Sequence, residues 1–150
     1  MPQAETLREE IEGVGRRGRS IMSDTRTVPV IAVVDDDKSV RESLAEFMES
    51  VGYDVALFSS AEEYLESTRR FDDLRCLILD VRLPGMSGLE LFSQLTVNRR
   101  PLPTIFITAH ADAAVDGCAT KPGVVSVLYK PFQPAALLKA VRSALTKSCP

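Results

Sequence analysis

Five polar residues stand at the ends of short apolar runs in this chain: Asp35, Asp36, Asp80, Thr108 and Lys130. If the three carboxylates met in one place, each pair at about 5 Å and an effective dielectric of about 20 would cost roughly 3 kcal/mol in repulsion. A divalent cation or a bound proton relieves that repulsion, and oxygen ligands completed by water suit Mg²⁺. A hard cation beside a lysine, a hydroxyl and a carboxylate nucleophile can transfer a phosphoryl group. These residue types therefore predict the formation of an aspartyl phosphate.

The runs that carry these residues are short, continuous and apolar, which is typical of strands buried on both faces of a parallel sheet. The predicted strands cover residues 28–34, 55–58, 76–80, 104–108 and 124–129. Apolar residues at helical spacing follow each strand, so strand and helix alternate five times. Such crossovers predict one parallel sheet in the order 2-1-3-4-5 with helices on both faces. The ends of strands 1, 3, 4 and 5 then lie at one edge, and the polar residues form a single site.

The helices between these strands have recognisable starts. Two capping boxes are predicted, Ser60 with Glu63 and Ser87 with Glu90, at the second and third helices. The fourth helix, over residues 112–119, is weak because Gly117 lies inside it. Pro134 suits the first position of the fifth helix.

Length and composition describe one domain with a single core, since the chain has 150 residues and is 45% hydrophobic. A net charge of −3 gives no electrostatic footprint for nucleic acid, and no apolar run approaches the length of a membrane span. Three cysteines without metal-ligand spacing indicate a reduced, cytoplasmic setting. Mixed charge and glycine predict a flexible tail over residues 1–27, followed by a folded domain over 28–146 and a C-terminal end at 147–150.

Four segments around the polar residues are distinctive together: Val-Val-Asp-Asp-Asp-Lys-Ser-Val-Arg, Leu-Asp-Val-Arg-Leu-Pro-Gly-Met-Ser-Gly, Phe-Ile-Thr-Ala-His and Tyr-Lys-Pro-Phe. In this order, over about residues 28–146, the chain resembles the receiver domain of two-component response regulators, and the FixJ-like type is the most similar. The resemblance implies the flavodoxin-like (CheY-like) fold. It also implies a phosphoryl acceptor whose catalysis is limited to its own phosphorylation and dephosphorylation.

The resemblance assigns roles to the residues that would meet the phosphoryl group. Asp80 would be the phosphoacceptor, and Thr108 and Lys130 would contact the transferred group. The Lys130–Pro131 peptide bond would be cis, a form that is rare outside tightly shaped turns.

It likewise implies a Mg²⁺ site. Asp36 would bind the cation directly and Asp35 largely through water, with Asp80 and the backbone carbonyl of Arg82 as further ligands. Arg82 and His110 lie two residues past Asp80 and Thr108, positions that tune the lifetime of the phosphoryl group in this family. For His110 the alternative is a solvated loop imidazole.

At one position the chain departs from the family. Receivers usually carry an aromatic residue three positions before the lysine, and this position is Val127, whose branched side chain has no such in-and-out swing. Tyr129 shares its strand face, so it either replaces that aromatic switch or only packs at the edge. Together with the weak fourth helix, this predicts that phosphorylation acts by changing the stability of that helix.

The implied phosphodonor is a histidine kinase or a phosphotransfer protein. It would dock on the first helix near Lys38, Arg41 and Glu42 and on the loop after Lys130. A homodimer through the face formed by the fourth helix, fifth strand and fifth helix is a further expectation, with no direct contact to nucleic acid or membrane.

Two other classes of protein compete with this interpretation. Asp35 and Asp37 also form the D-x-D pair of a haloacid-dehalogenase-type phosphohydrolase, in which Asp35 would be the nucleophile. That enzyme needs a further acidic pair beyond the lysine, and residues 131–150 contain no Asp or Glu. A DNA-binding regulator is the other class, since FixJ-like receivers are often joined to a helix-turn-helix, for which the residues after Thr146 are too few. The sequence fits a stand-alone receiver and the receiver part of a longer regulator equally well.

Overall fold

The computed structural model describes residues 28–67, 73–98, 102–110 and 113–148. In these ranges five strands alternate with five helices, as predicted. In chain order they are β1 (Val30–Val34), α1 (Lys38–Ser50), β2 (Asp54–Phe58), α2 (Ala61–Ser67), β3 (Leu74–Asp80), α3 (Gly88–Val97), β4 (Thr104–Thr108), α4 (Ala113–Cys118), β5 (Val124–Tyr129) and α5 (Pro134–Ser148). The predicted tail at 1–27 lies outside the described residues, and α5 continues past the predicted domain end at 146.

The strands form one parallel sheet in the order β2-β1-β3-β4-β5, which confirms the predicted topology. At the carboxyl edge the register pairs are Val34 with Leu79, Asp80 with Ile107, and Thr108 with Tyr129. Because the strands are parallel and in this register, the residues that end β1, β3, β4 and β5 share one edge of the sheet. That edge is where open α/β sheets bind their ligands.

Helices cover both faces of the sheet and divide the core into two clusters. The cluster under α1 and α5 includes Leu44, Met48, Ile78, Leu137 and Val141. The cluster under α2, α3 and α4 includes Tyr64, Leu77, Leu79, Leu91, Phe92 and Val115. Full burial of one such side chain contributes about 1.5–3 kcal/mol. Packing on both faces therefore fixes the central strands that carry the polar edge.

The two predicted capping boxes differ in the structure. At α3, Ser87 Oγ accepts from the Glu90 N–H at 3.1 Å and the Glu90 carboxylate accepts from the Ser87 N–H at 2.9 Å, a complete box. At α2, Ser60 Oγ accepts from the Glu63 N–H at 3.0 Å, but the Glu63 carboxylate accepts from the Ser59 N–H at 2.7 Å. The Ser59 hydroxyl also donates to Glu63, at 2.9 Å. The predicted bond from the Ser60 N–H to the Glu63 carboxylate is therefore wrong, because Ser59 takes that place.

The fourth helix was predicted over residues 112–119, and in the structure α4 covers six residues, Ala113–Cys118. Residue 112 lies outside the described ranges. A methyl group at Gly117 would meet no atom within 4 Å, so packing does not require glycine there. Among the described residues, no helix has both the length and the apolar composition to cross a bilayer.

Candidate functional site

The three acidic residues predicted to meet do so at the carboxyl edge of the sheet. Asp35, Asp36 and Asp80 each offer a carboxylate oxygen, and these oxygens lie within 4.8 Å of one another. Asp35 and Asp80 are buried, whereas Asp36 is exposed. A hard cation fits this donor set, because every ligand is an oxygen and the exposed side is open to water.

Lys130 lies beside two of these carboxylates. Its Nζ is 3.1 Å from Asp35 Oδ2 and 3.5 Å from Asp80 Oδ2. Burial lowers the pKa of Lys130, but its hydrogen bond to Asp35 and the charges of both acids outweigh burial, so the net shift is upward. The ammonium group therefore stays charged at neutral pH. The Lys130–Pro131 bond is cis, as predicted, and the Lys130 N–H donates to the Thr108 carbonyl at 2.8 Å.

Asp80 is difficult to ionise in this environment. Burial is the largest cause that raises its pKa, and the charge of Asp35 adds to it. The charge of Lys130 and the Arg82 N–H, which donates to Asp80 Oδ1 at 3.1 Å, act in the opposite direction. The resulting pKa is about 6. Asp80 is thus mostly a carboxylate at neutral pH, and a cation that favours its charged form binds against little competition from protons.

Thr108 ends β4 fully buried, and its hydroxyl is held by the loop that follows. Thr108 Oγ1 donates to the His110 carbonyl at 3.0 Å and accepts from the His110 N–H at 3.2 Å. The His110 side chain is exposed. His110 therefore acts on Thr108 through its backbone in this structure.

Arg41 and Asp37 hold the backbone around Asp35, a role that was not predicted for either residue. Arg41 Nη1 donates to the backbone carbonyl of Asp35 at 2.7 Å, so Arg41 braces the site as well as lying on the predicted docking helix. Asp37 is the N-cap of α1: its carboxylate accepts from the N–H groups of Ser39 and Val40. Its own N–H donates to Asp35 Oδ1 at 2.8 Å. An aspartate directly before a helical run is a known start signal and could have been predicted. The Arg41 contact depends on how α1 packs and has no local signal.

Gly88 also shapes the site, and its role was not predicted. A Cβ added at Gly88 would lie 2.1 Å from the backbone oxygen of Asp80 and 3.0 Å from Val81 Cα. The Gly88 N–H donates to the Val81 carbonyl at 2.9 Å. Glycine is required because the start of α3 crosses the end of β3 at backbone contact distance.

The two predicted switch residues lie on one face of β5, since Val127 pairs with Phe106 and Tyr129 with Thr108. Val127 is half-buried and packs against the cluster under α2, α3 and α4. Tyr129 is 41% exposed, and its hydroxyl donates to Asp116 Oδ1 of α4 at 3.4 Å. The tyrosine thus bridges β5 to α4. Its role as a switch stays a prediction.

An open groove of about 550 Å³ runs beside Asp36. Its walls come mainly from the loop between β3 and α3, including Arg82, Pro84 and Ser87, with Leu89 of α3. Lys38 and Glu42 of the predicted docking surface are exposed, and their charged groups lie 3.9 Å apart as an ion pair. The acidic site is therefore approachable from solvent on its Asp36 side.

The chain is similar in sequence to a known protein family and to several known proteins. The family model of the response regulator receiver domain matches residues 31–142. Nodulation protein W of Bradyrhizobium diazoefficiens is 44% identical over 128 residues, which cover 85% of this chain and 56% of that protein. Transcriptional regulatory protein FixJ of Azorhizobium caulinodans is 41% identical over 118 residues, or 79% of this chain and 56% of that protein. The chain spans about half the length of these curated relatives.

A solved structure agrees with them. The crystal structure of FixJ-N is 32% identical, with a TM-score of 0.72, and the match covers 81% of this chain and 96% of that chain. The haloacid-dehalogenase alternative has no such support. Asp37, which would be its acid, is instead the exposed N-cap of α1.

Proposed function

The chain belongs to the response regulator receiver domain family, and we propose that Asp80 is its phosphoacceptor in a Mg²⁺-dependent reaction. The observation that carries this proposal is the position of Asp80 at the end of β3, grouped with Asp35 and Asp36 and 3.5 Å from Lys130 Nζ. Receiver domains are phosphorylated on an aspartate, and Asp80 combines burial, a lysine and two neighbouring acids.

Asp80 acts as the nucleophile. One carboxylate oxygen attacks the phosphorus of a phosphohistidine; the new P–O bond forms as the P–N bond breaks, and the imidazole nitrogen leaves and takes up a proton. Lys130 places a positive charge beside the attacked phosphoryl group. The Thr108 hydroxyl can bond to that group once it leaves the His110 carbonyl, to which it now donates.

Asp36 and Asp80 would hold Mg²⁺ directly, with the backbone carbonyl of Arg82. Buried Asp35 already bonds Lys130 and the Asp37 N–H and would act largely through water. When bound, the cation neutralises charge on the phosphoryl oxygens.

The proposed phosphodonor is a histidine kinase or a phosphotransfer protein that approaches over Lys38 and Glu42. Beyond that transfer, the domain would catalyse only its own phosphorylation and dephosphorylation. Among the relatives, FixJ and TdiR are named transcriptional regulatory proteins, so we propose a transcriptional output. Homodimerisation on the α4-β5-α5 face would produce that output, without direct contact between this domain and nucleic acid. Buried free thiols at Cys76 and Cys118 support action in a reducing compartment such as the cytoplasm.

Labelling with acetyl phosphate and Mg²⁺ tests the proposal. The wild-type protein should gain the mass of one phosphoryl group, and Asp80→Asn should abolish the gain. Asp35→Asn should weaken cation binding while the label, where formed, stays on Asp80. A label that survives Asp80→Asn and is lost with Asp35→Asn would favour the phosphohydrolase instead.

A further inference from the structure

The loop between β3 and α3 is held by a residue that lies outside the site. Glu62, in the first turn of α2, reaches across to this loop, and its Oε2 accepts from the Met86 N–H at 2.9 Å. The two residues are 24 positions apart. This bond therefore joins two separate elements rather than capping its own helix.

The loop is shaped to receive that carboxylate. Gly85 has φ +75, which side-chain-bearing residues rarely adopt, and a Cβ there would lie 2.7 Å from Glu62 Oε2. Met86 is half-buried against the core cluster under α2, α3 and α4. The Met86 N–H is also the largest cause that lowers the pKa of Glu62, so the carboxylate accepts in its charged form.

The same loop carries the backbone that the site depends on. Its first part holds Arg82, whose N–H donates to Asp80 Oδ1. Its base is closed by the Gly88 N–H on the Val81 carbonyl at 2.9 Å. Between these points Leu83 packs into the core cluster under α2, α3 and α4, whereas Pro84 and Gly85 are exposed. The bond at Met86 limits how far the exposed part of the loop can move, and through Leu83 it limits how far the adjoining Arg82 can move.

We propose that Glu62 is a positioning residue of the phosphoryl-transfer site, which fixes the β3–α3 loop through Met86 and so holds the Arg82 backbone against Asp80 and the cation. This rests on the proposed function of Asp80. The proposal gives α2 a part in the chemistry. The neighbouring Glu63 instead accepts from the N–H and the hydroxyl of Ser59, at the start of its own helix.

Three variants separate positioning from general stability. Glu62→Ala removes the bond to the loop, Glu62→Gln keeps an oxygen that can accept from Met86, and Glu63→Ala removes an equal charge one residue away. The chain contains no Trp, so Mg²⁺ affinity is best measured by calorimetry. Amide hydrogen exchange of Met86 and Arg82 is measured in the cation-free protein.

Glu62→Ala should weaken Mg²⁺ binding roughly fivefold and speed exchange at Met86 and Arg82, since one charge-assisted hydrogen bond is lost. Glu62→Gln should restore the affinity to within about twofold of wild type. Glu63→Ala should lower the melting temperature without weakening Mg²⁺ binding. Gly85→Ala should weaken Mg²⁺ binding as Glu62→Ala does. In a protein that already carries Glu62→Ala, the added methyl group meets no carboxylate, so Gly85→Ala should cause a smaller further loss of affinity.

Wild-type Mg²⁺ affinity and Arg82 exchange in Glu62→Ala would overturn the proposal, as would an equal loss of affinity in Glu63→Ala. A wild-type protein that binds no Mg²⁺ and takes no label would instead overturn the function of Asp80. The exchange of Met86 and Arg82 would then still decide whether Glu62 positions the loop.

Discussion

Lys130 Nζ lies 3.1 Å from Asp35 Oδ2, and Asp35 has no exposed surface. The same ammonium is 3.5 Å from Asp80 Oδ2. One lysine thus partly neutralises two buried acids that are far apart in the sequence, and it does so at the place where a cation would bind. Stability and cation affinity are consequently opposed at this residue.

Replacing Lys130 by methionine should separate these two effects. The buried acids lose their positive partner, so the free energy of unfolding should fall by about 3 kcal/mol at pH 7 without Mg²⁺. Mg²⁺ should bind more tightly, because no ammonium competes for the carboxylates, yet labelling by acetyl phosphate should slow. Denaturant unfolding and calorimetry measure both. Exposed Lys139 of α5 offers the control, and Lys139→Met should change neither quantity. Weaker Mg²⁺ binding in Lys130→Met would contradict this account.

The pH dependence of stability should carry the signature of Asp80. Its pKa is raised from 3.8 to about 6, so the folded state binds the proton more tightly than the unfolded state. The stability that this protonation contributes is present at low pH and is lost as the pH rises from about 4 to about 6. Without cation, Asp80→Asn should therefore be more stable than wild type at pH 7, by at most about 3 kcal/mol. The difference should vanish near pH 4.

Thermal unfolding of both proteins across this range checks the prediction. Mg²⁺ added at pH 7 should stabilise the wild-type protein more than Asp80→Asn. The stability advantage of Asp80→Asn should therefore become smaller or change sign. A gap between the two proteins that does not change with pH would show that the charge of Asp80 is not its cause.

Two glycine substitutions should have opposite effects. At Gly88 an added methyl group would lie 2.1 Å from the backbone oxygen of Asp80, and Gly88→Ala should destabilise the protein by about 1–3 kcal/mol or more and weaken Mg²⁺ binding. At Gly117 nothing lies within 4 Å, and Gly117→Ala should stabilise by about 0.5–1 kcal/mol through the helix propensity of α4. Chemical denaturation compares them, and equal signs would refute the packing argument.

The docking surface is better tested at Lys38 than at Arg41. Because Arg41 donates to the Asp35 carbonyl, Arg41→Glu should reduce labelling from both a kinase and acetyl phosphate. Lys38→Glu changes an exposed charge and should slow transfer from the kinase alone. Phosphorylation rates with both donors measure this. If Lys38→Glu also lost acetyl phosphate labelling, the residue would belong to the site.

Phosphorylation should alter the stability of α4. It has six residues, one of which is Gly117, and glycine lowers helix propensity. A small bias can therefore order or melt it, and the bond from the Tyr129 hydroxyl to Asp116, at 3.4 Å, is one contact that such a bias would change. Amide hydrogen exchange over residues 113–119, with and without beryllofluoride, should change, and Gly117→Ala should reduce the change. Constant protection in α4 with a change confined to Tyr129 would point to the tyrosine alone.

The fold and the position of the candidate site could be predicted from the amino-acid sequence. Short apolar runs bounded by turn residues favoured strands buried on both faces, and the helical spacing between them favoured parallel crossovers. Asp35, Asp80, Thr108 and Lys130 ended those runs, so they had to share one edge of the sheet. This inference needs only local periodicity and the geometry of a parallel sheet.

The contacts that hold this edge of the sheet together could not be predicted from the sequence. The contacts of Arg41 with the Asp35 carbonyl, of Glu62 with the Met86 N–H, and of Gly88 with the Asp80 backbone all depend on how a helix packs beside a strand or a loop. The simultaneous contact of Lys130 with Asp35 and Asp80 depends on packing in the same way. The partners in these contacts lie on different elements of the fold. Whether they meet depends on the distances and angles at which helices, strands and loops pack, and no local sequence pattern predicts these.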